Sequence, residues 1–133
     1  MPRIQRSDRI SEEIKKVVAQ LIREEIKDPR LPLLTTVTAV EVSRDLAYAT
    51  VYVSTLGGSA ESEQVLEALE HAKGFIRREV GHQVRMRLVP EFRFRYDNSA
   101  EIGEQMARFI DKVKADDEAL KRNSLAGEEQ EAE

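Results

Sequence analysis

The chain has 133 residues, of which 41% are hydrophobic and 35% charged, with a formal net charge of −4 and no cysteine. That length suits one domain with a sizeable core, since a chain of this size buries roughly two-thirds of its unfolded surface. The composition excludes a disulfide framework and a thiolate zinc site, and no apolar run approaches the roughly 18 residues of a membrane span.

The opening MPRIQRSDRI lacks the apolar stretch of a secretory signal, so a cytoplasmic location is expected. Ser7 or Asp8 can cap a first helix. Ile10, Ile14, Val17, Val18, Leu21 and Ile22 then form one apolar stripe at the helical period. Asp28-Pro29 is expected to stop it, because the residue before proline is pushed out of the helical region. Thr36 to Ser43 is rich in β-branched residues and reads as a strand. A polar turn, Ser43-Arg44-Asp45-Leu46, leads to a second strand from Tyr48 to Ser54. In it Ala49, Val51 and Val53 face one side, and Tyr48, Thr50 and Tyr52 the other. The short connection implies an antiparallel hairpin.

Gly57-Gly58-Ser59 breaks the pattern and reads as a strand-to-helix turn that needs positive φ; as a phosphate loop it lacks the lysine that a P-loop requires. The helix that follows carries Glu61 and Glu63 in its first turn, where the macrodipole favours acids. Its stripe begins with Val65, Leu66 and Leu69 and resumes with Phe75, Ile76 and Val80, and Gly81 reads as its C-terminal stop. Between the two stripes lies Ala72-Lys73-Gly74. A glycine inside a helix costs about 1 kcal/mol relative to alanine, so Ala72 and Gly74 read as a tight kink between two helices, in preference to a simple packing contact. Phe92, Phe94 and Tyr96 alternate with Arg93 and Arg95 in a third strand. Asn98-Ser99-Ala100-Glu101 then resembles a capping box for a last amphipathic helix bearing Ile102, Met106, Phe109, Ile110 and Val113. Three strands cannot close a barrel, so one face of the sheet must be covered by helices: an α+β two-layer domain is expected over residues 1–115. The tail, 116–133, is acidic and poor in apolar residues, and is expected to be disordered.

Charge is unevenly placed. Ala72 to Tyr96 holds Lys73, Arg77, Arg78, Arg85, Arg87, Arg93 and Arg95 against Glu79 and Glu91, a local net charge of +5. Arg3, Arg6, Arg9, Lys15 and Lys16 form a second basic cluster. Guanidinium groups match phosphate by bidentate geometry, so these twelve residues are the candidate polyanion-binding set. Catalysis has less support. The only histidines, His71 and His82, sit in no metal-spaced motif, and no nucleophile elbow or nucleotide-binding glycine motif occurs. No enzyme activity, cofactor or metal is expected.

The α-β-β-α-kink-α-β order resembles a type II KH domain. Ala72-Lys73-Gly74 stands where such domains keep a GxxG loop, and this substitution resembles bacterial ribosome-binding factor A. The resemblance extends to Arg6, Asp28-Pro29-Arg30, Val42-Ser43-Arg44-Asp45-Leu46 with Ala47 through Val53, Gly74-Phe75-Ile76-Arg77, and Arg87-Leu88-Val89-Pro90-Glu91 with Phe94 and Asp97. It implies a type II KH-like fold with helices on one face of the sheet. It also implies a monomeric, non-catalytic assembly factor that binds the 30S ribosomal subunit and 16S rRNA during late maturation, assists rRNA processing and folding, and supports growth in the cold. Without GxxG, recognition of folded RNA by shape and phosphate is expected in place of single-strand clamping. The alternative is a protein-interaction module that docks a GTPase or another assembly factor through the acidic helix Glu61–Glu70.

Overall fold

Apolar residues spaced three and four apart from Ile10 onward coil into α1 (Arg6–Gln20) in the computed structural model, which describes residues 6–131 and their side chains to residue 123. Arg6 is already helical, so Ser7 and Asp8 lie inside the first turn and any capping residue falls outside the described residues. Ile10, Ile14 and Val18 are buried. The helix then widens into a π-helical turn, Leu21–Glu25, closed by Ile26 N–H donating to Leu21 O at 2.8 Å. It therefore ends before Asp28-Pro29. Asp28 instead organises the loop beyond, since its carboxylate accepts the Arg30 backbone N–H at 2.9 Å.

β1 (Thr36–Val42) and β2 (Tyr48–Ser54) pair antiparallel, and β3 (Glu91–Tyr96) pairs parallel to β2, giving the sheet order β1-β2-β3. A parallel pair needs a crossover connection. Here it is made by α2 (Ser62–His71) and α3 (Lys73–Gln83), entered through a tight 3₁₀ turn, Gly58–Glu61, in which Gly58 has φ 76°. That positive φ is the reason for glycine at this turn.

The helical run breaks at Ala72, with φ −88° and ψ 0°. Gly74 lies inside α3, and a Cβ placed there would meet nothing within 4 Å. Gly81 does not stop α3, which continues to Gln83. A Cβ at Gly81 would lie 2.9 Å from Val89 Cγ2, so this glycine gives the segment before β3 room to pack.

The core lies between the helices and one sheet face. Val37, Val40, Ala49, Val51, Val53, Phe92 and Phe94 meet Ile14 and Val18 from α1, Val65 and Leu69 from α2, and Ile76 and Val80 from α3. A bulge in β1 opposite β2 lies between Val37 and Ala39, and the Thr38 hydroxyl there donates to Asp97 Oδ2 at 2.7 Å. Ser11 supplies a buried polar clasp: its hydroxyl donates to Ser7 O at 2.7 Å and accepts the Val42 N–H at 3.1 Å, fastening α1 to the end of β1.

The chain divides into two units after Asn98, whereas the sequence placed the boundary after Ala115. The second unit is one helix, α4 (Ser99–Glu131). Asp116 onward, expected to be disordered, continues this helix to Glu131. Low apolar content removes a reason to pack, but the Ala, Leu, Lys and Glu of this segment retain helix propensity, and Lys121 and Asp117 pair at i,i+4 spacing, 3.7 Å apart. Ile102, Met106, Phe109, Ile110 and Val113 share one side of α4 and are all exposed.

Candidate nucleic-acid interface

The fold distributes the predicted cations over distinct surfaces. The first is a cleft of about 470 Å³ lined by Arg6 from α1, Arg77 from α3, Arg87 and Leu88-Val89 from the segment before β3, Glu91, and Asp45-Leu46-Ala47 from the β1–β2 turn. Arg77 is held in place by donating from Nη2 to Val89 O at 3.1 Å. The turn is built around Asp45, whose Oδ1 accepts the Ser43 hydroxyl at 2.7 Å and the Ala47 N–H at 3.1 Å. Those bonds, led by that from Ser43, hold its carboxyl below the ordinary aspartate range. Leu46 follows in left-handed backbone at φ 62°, unusual for a residue with a side chain.

The second surface is the sheet face that α1–α3 do not cover. Thr50 pairs with Arg93 and Tyr52 with Arg95 across β2 and β3. The Arg93 guanidinium lies 4.2 Å from the Tyr48 ring centroid, a cation–π contact that fixes its plane. Arg95 lies beside Tyr52 and Tyr96.

The remaining candidates are more scattered. Arg9 and Lys16 are exposed on α1, and Lys15 is half-buried. Arg78 and Arg85 are exposed, with Arg78 5.7 Å from the Phe75 ring centroid. Lys73, next to the helix break, is paired with Glu70 at 2.7 Å. Arg3 lies outside the described residues. Among the described residues, Arg6, Arg9, Arg77, Arg78, Arg85, Arg87, Arg93 and Arg95 form no ion pair, so their charge is available to a ligand.

A larger hollow of about 640 Å³ adjoins the helix break, lined in part by Ile26, Asp28, Arg30, His71, Ala72 and Phe75. Two of its charges, Asp28 and Arg30, are matched to each other, and Glu25 and Lys27 also line it. Arg30 holds Asp28 through Nε–Oδ1 at 3.1 Å and Nη2–Oδ2 at 2.7 Å, and these side-chain bonds, joined by the Arg30 backbone N–H, lower the Asp28 carboxyl to about 2. Among the described residues no cluster of His, Cys, Asp or Glu could hold a metal ion, and no helix is long and apolar enough to cross a membrane.

Sequence reasoning missed Leu46, Leu88 and Val89 as walls of the arginine cleft, and Asp45 and Glu91 as its carboxylates. The polar turn was the available signal for Asp45; nothing in the residue types marked the others.

Helices on one face of a mixed three-stranded sheet and an interrupted helix pair between β2 and β3 define a type II KH-like domain, here with unpaired arginines on its surface. A family profile described as "Ribosome-binding factor A" matches residues 6–110. Two proteins of that name, from Acetivibrio thermocellus and Desulfitobacterium hafniense, are similar to this chain. The first is 45% identical over 118 residues, 89% of this chain and 96% of that one; the second is 49% identical over 113 residues, 85% and 90%. The crystal structure of ribosome-binding factor A from Thermus thermophilus is similar at 31% identity with a TM-score of 0.60, covering 68% of this chain and 94% of that one. The chain belongs to the ribosome-binding factor A family.

Proposed function

We propose that this chain binds the 30S ribosomal subunit during late maturation, placing its arginines on 16S rRNA phosphates. It assists rRNA processing and helps the 5′ and decoding-region helices reach their mature form, which supports growth in the cold. It does this as a cytoplasmic monomer and a binding factor, without catalysis. The observation that carries the reading is the set of unpaired arginines on two surfaces of one KH-like unit, in a family named for ribosome binding. Phosphate contacts fix register on folded RNA. The rival reading is docking of a GTPase or another assembly factor through the acidic stretch Glu61–Glu70, where Glu70 pairs with Lys73 at 2.7 Å and Glu67 lies 3.9 Å from Arg30.

The test is binding of purified 30S particles by the triple variant Arg77→Glu, Arg87→Glu, Arg93→Glu, which alters both surfaces, with circular dichroism to verify folding. The variant is expected to lose binding at moderate salt. In milder Arg→Gln variants the salt dependence is expected to flatten by roughly 0.7–0.9 for each phosphate that is no longer neutralised. A folded triple variant that binds 30S particles as well as the parent overturns the proposed surface.

A further inference from the structure

We propose that the cleft between α1, α3 and the β1–β2 turn takes one unpaired nucleotide of the bound RNA, with its phosphates on the arginines and an amino-bearing base against Asp45. This rests on the RNA-binding reading and narrows it to a chemical class of ligand.

The cleft combines three chemistries that a flat phosphate-binding surface does not need. Its cations come from segments far apart in the chain, Arg6, Arg77 and Arg87, and Arg77 is already oriented by Val89 O at 3.1 Å. Its wall is apolar, with Leu88 79% exposed and Leu46 set in place by left-handed backbone. An apolar side chain so exposed beside guanidinium groups gains most from a ligand that is flat and apolar on its faces and anionic at one end. Its third component is Asp45. Both of its bonds from the turn fall on Oδ1, which leaves Oδ2 to accept from a ligand N–H. Carboxylates accept from the exocyclic amine of cytosine, whereas uracil presents only a carbonyl at the same place. A volume of about 470 Å³ lies within the range of small-ligand clefts, roughly 300–1,000 Å³. An acidic peptide would satisfy the arginines but would set its own carboxylates against Asp45 and Glu91. A paired nucleotide would keep its base edge inside the duplex, so the ligand is an unpaired one.

The experiment is an NMR titration of the full chain at constant ionic strength with cytidine 5′-monophosphate, uridine 5′-monophosphate, inorganic phosphate and a glutamate-rich peptide. Cytidine monophosphate is expected to shift the Leu46, Leu88 and Val89 methyl groups together with the Arg77 and Arg87 Nε signals. Inorganic phosphate is expected to shift the Nε signals alone, and uridine monophosphate to bind about fivefold or more weakly than its cytidine counterpart. In Asp45→Asn that preference is expected to disappear while phosphate binding persists. Equal methyl responses to inorganic phosphate and cytidine monophosphate, or tighter binding of a glutamate-rich peptide, overturns the nucleotide cleft. So does a cytidine preference that survives in Asp45→Asn. The 30S assay reports separately: particles bound normally by a chain that fails the titration leave the broader reading standing, and the reverse pattern overturns only the ribosomal reading.

Discussion

Two glycines of α3, Gly74 and Gly81, are seven positions apart on one helix and differ in what surrounds them. Replacing either by alanine removes the same backbone penalty, about 1 kcal/mol in favour of the helix. At Gly74 that gain stands alone, because a Cβ meets nothing within 4 Å. Gly74→Ala is therefore expected to stabilise the fold by about 1 kcal/mol, raising Tm by roughly 3–6 °C for a domain of this size. At Gly81 the new Cβ lies 2.9 Å from Val89 Cγ2. Valine is stiff at χ1 and cannot swing aside freely. Relieving the contact moves the segment before β3, an overpacking cost of about 1–3 kcal/mol. Gly81→Ala is then expected to lie between neutral and about 2 kcal/mol destabilising. The propensity gain cancels in the comparison, so the difference between the variants, about 1–3 kcal/mol, measures the Val89 contact. Urea titrations of both, with m-values checked for equality, provide the measurement. A double-mutant cycle with Val89→Ala assigns the difference to the pair. Two variants within about 0.5 kcal/mol of each other would show that Val89 yields without cost and that the packing argument is wrong.

Further expectations concern the clasp and the loop. Ser11→Ala leaves the Val42 N–H without its partner, and is expected to cost about 1–3 kcal/mol and to speed hydrogen exchange at Val42 while distant amides keep their relative protection. Asp28 has its carboxyl lowered from 3.8 to about 2 in the folded chain, so its contribution is fully present above pH 4 and is lost as pH falls from about 4 towards 2. In Asp28→Asn that part of the acid dependence is expected to vanish from a stability-versus-pH series; an unchanged acid limb would refute the assignment.

Where the signal was local, the residues announced the structure. Alternation in Tyr48–Ser54 and Glu91–Tyr96 placed each strand and assigned its faces, since side chains in a strand must alternate. The stripes of α1, α2 and α3 were equally plain. Failures occurred where meaning depended on a distant neighbour. Gly81 looks like a helix stop until Val89 is placed beside it. Asp28-Pro29 looks like the end of α1, but the helix closes earlier in a π-helical turn whose register no residue type marks. For the candidate site the residue types supply a set of cations but no geometry. Arg6 and Arg77 share a cleft only because α1 and α3 lie on the same side of the sheet, whereas Arg93 and Arg95, closer to Arg87 in sequence, face the other side because strand alternation turns them away from the core.

The parallel pairing of β3 also orders events in time. β1 and β2 are joined by a short turn, whereas β3 pairs with β2 across the α2–α3 crossover, so the hairpin is expected to form first. Closing that long connection is expected to be the slow, entropically costly step. Arg93 and Arg95 lie on the strand expected to join last, and Arg87 lies in the segment just before it. A nascent chain is thus expected to carry its arginines through synthesis on an unfinished scaffold, and to complete both arginine-bearing surfaces only when the sheet is complete.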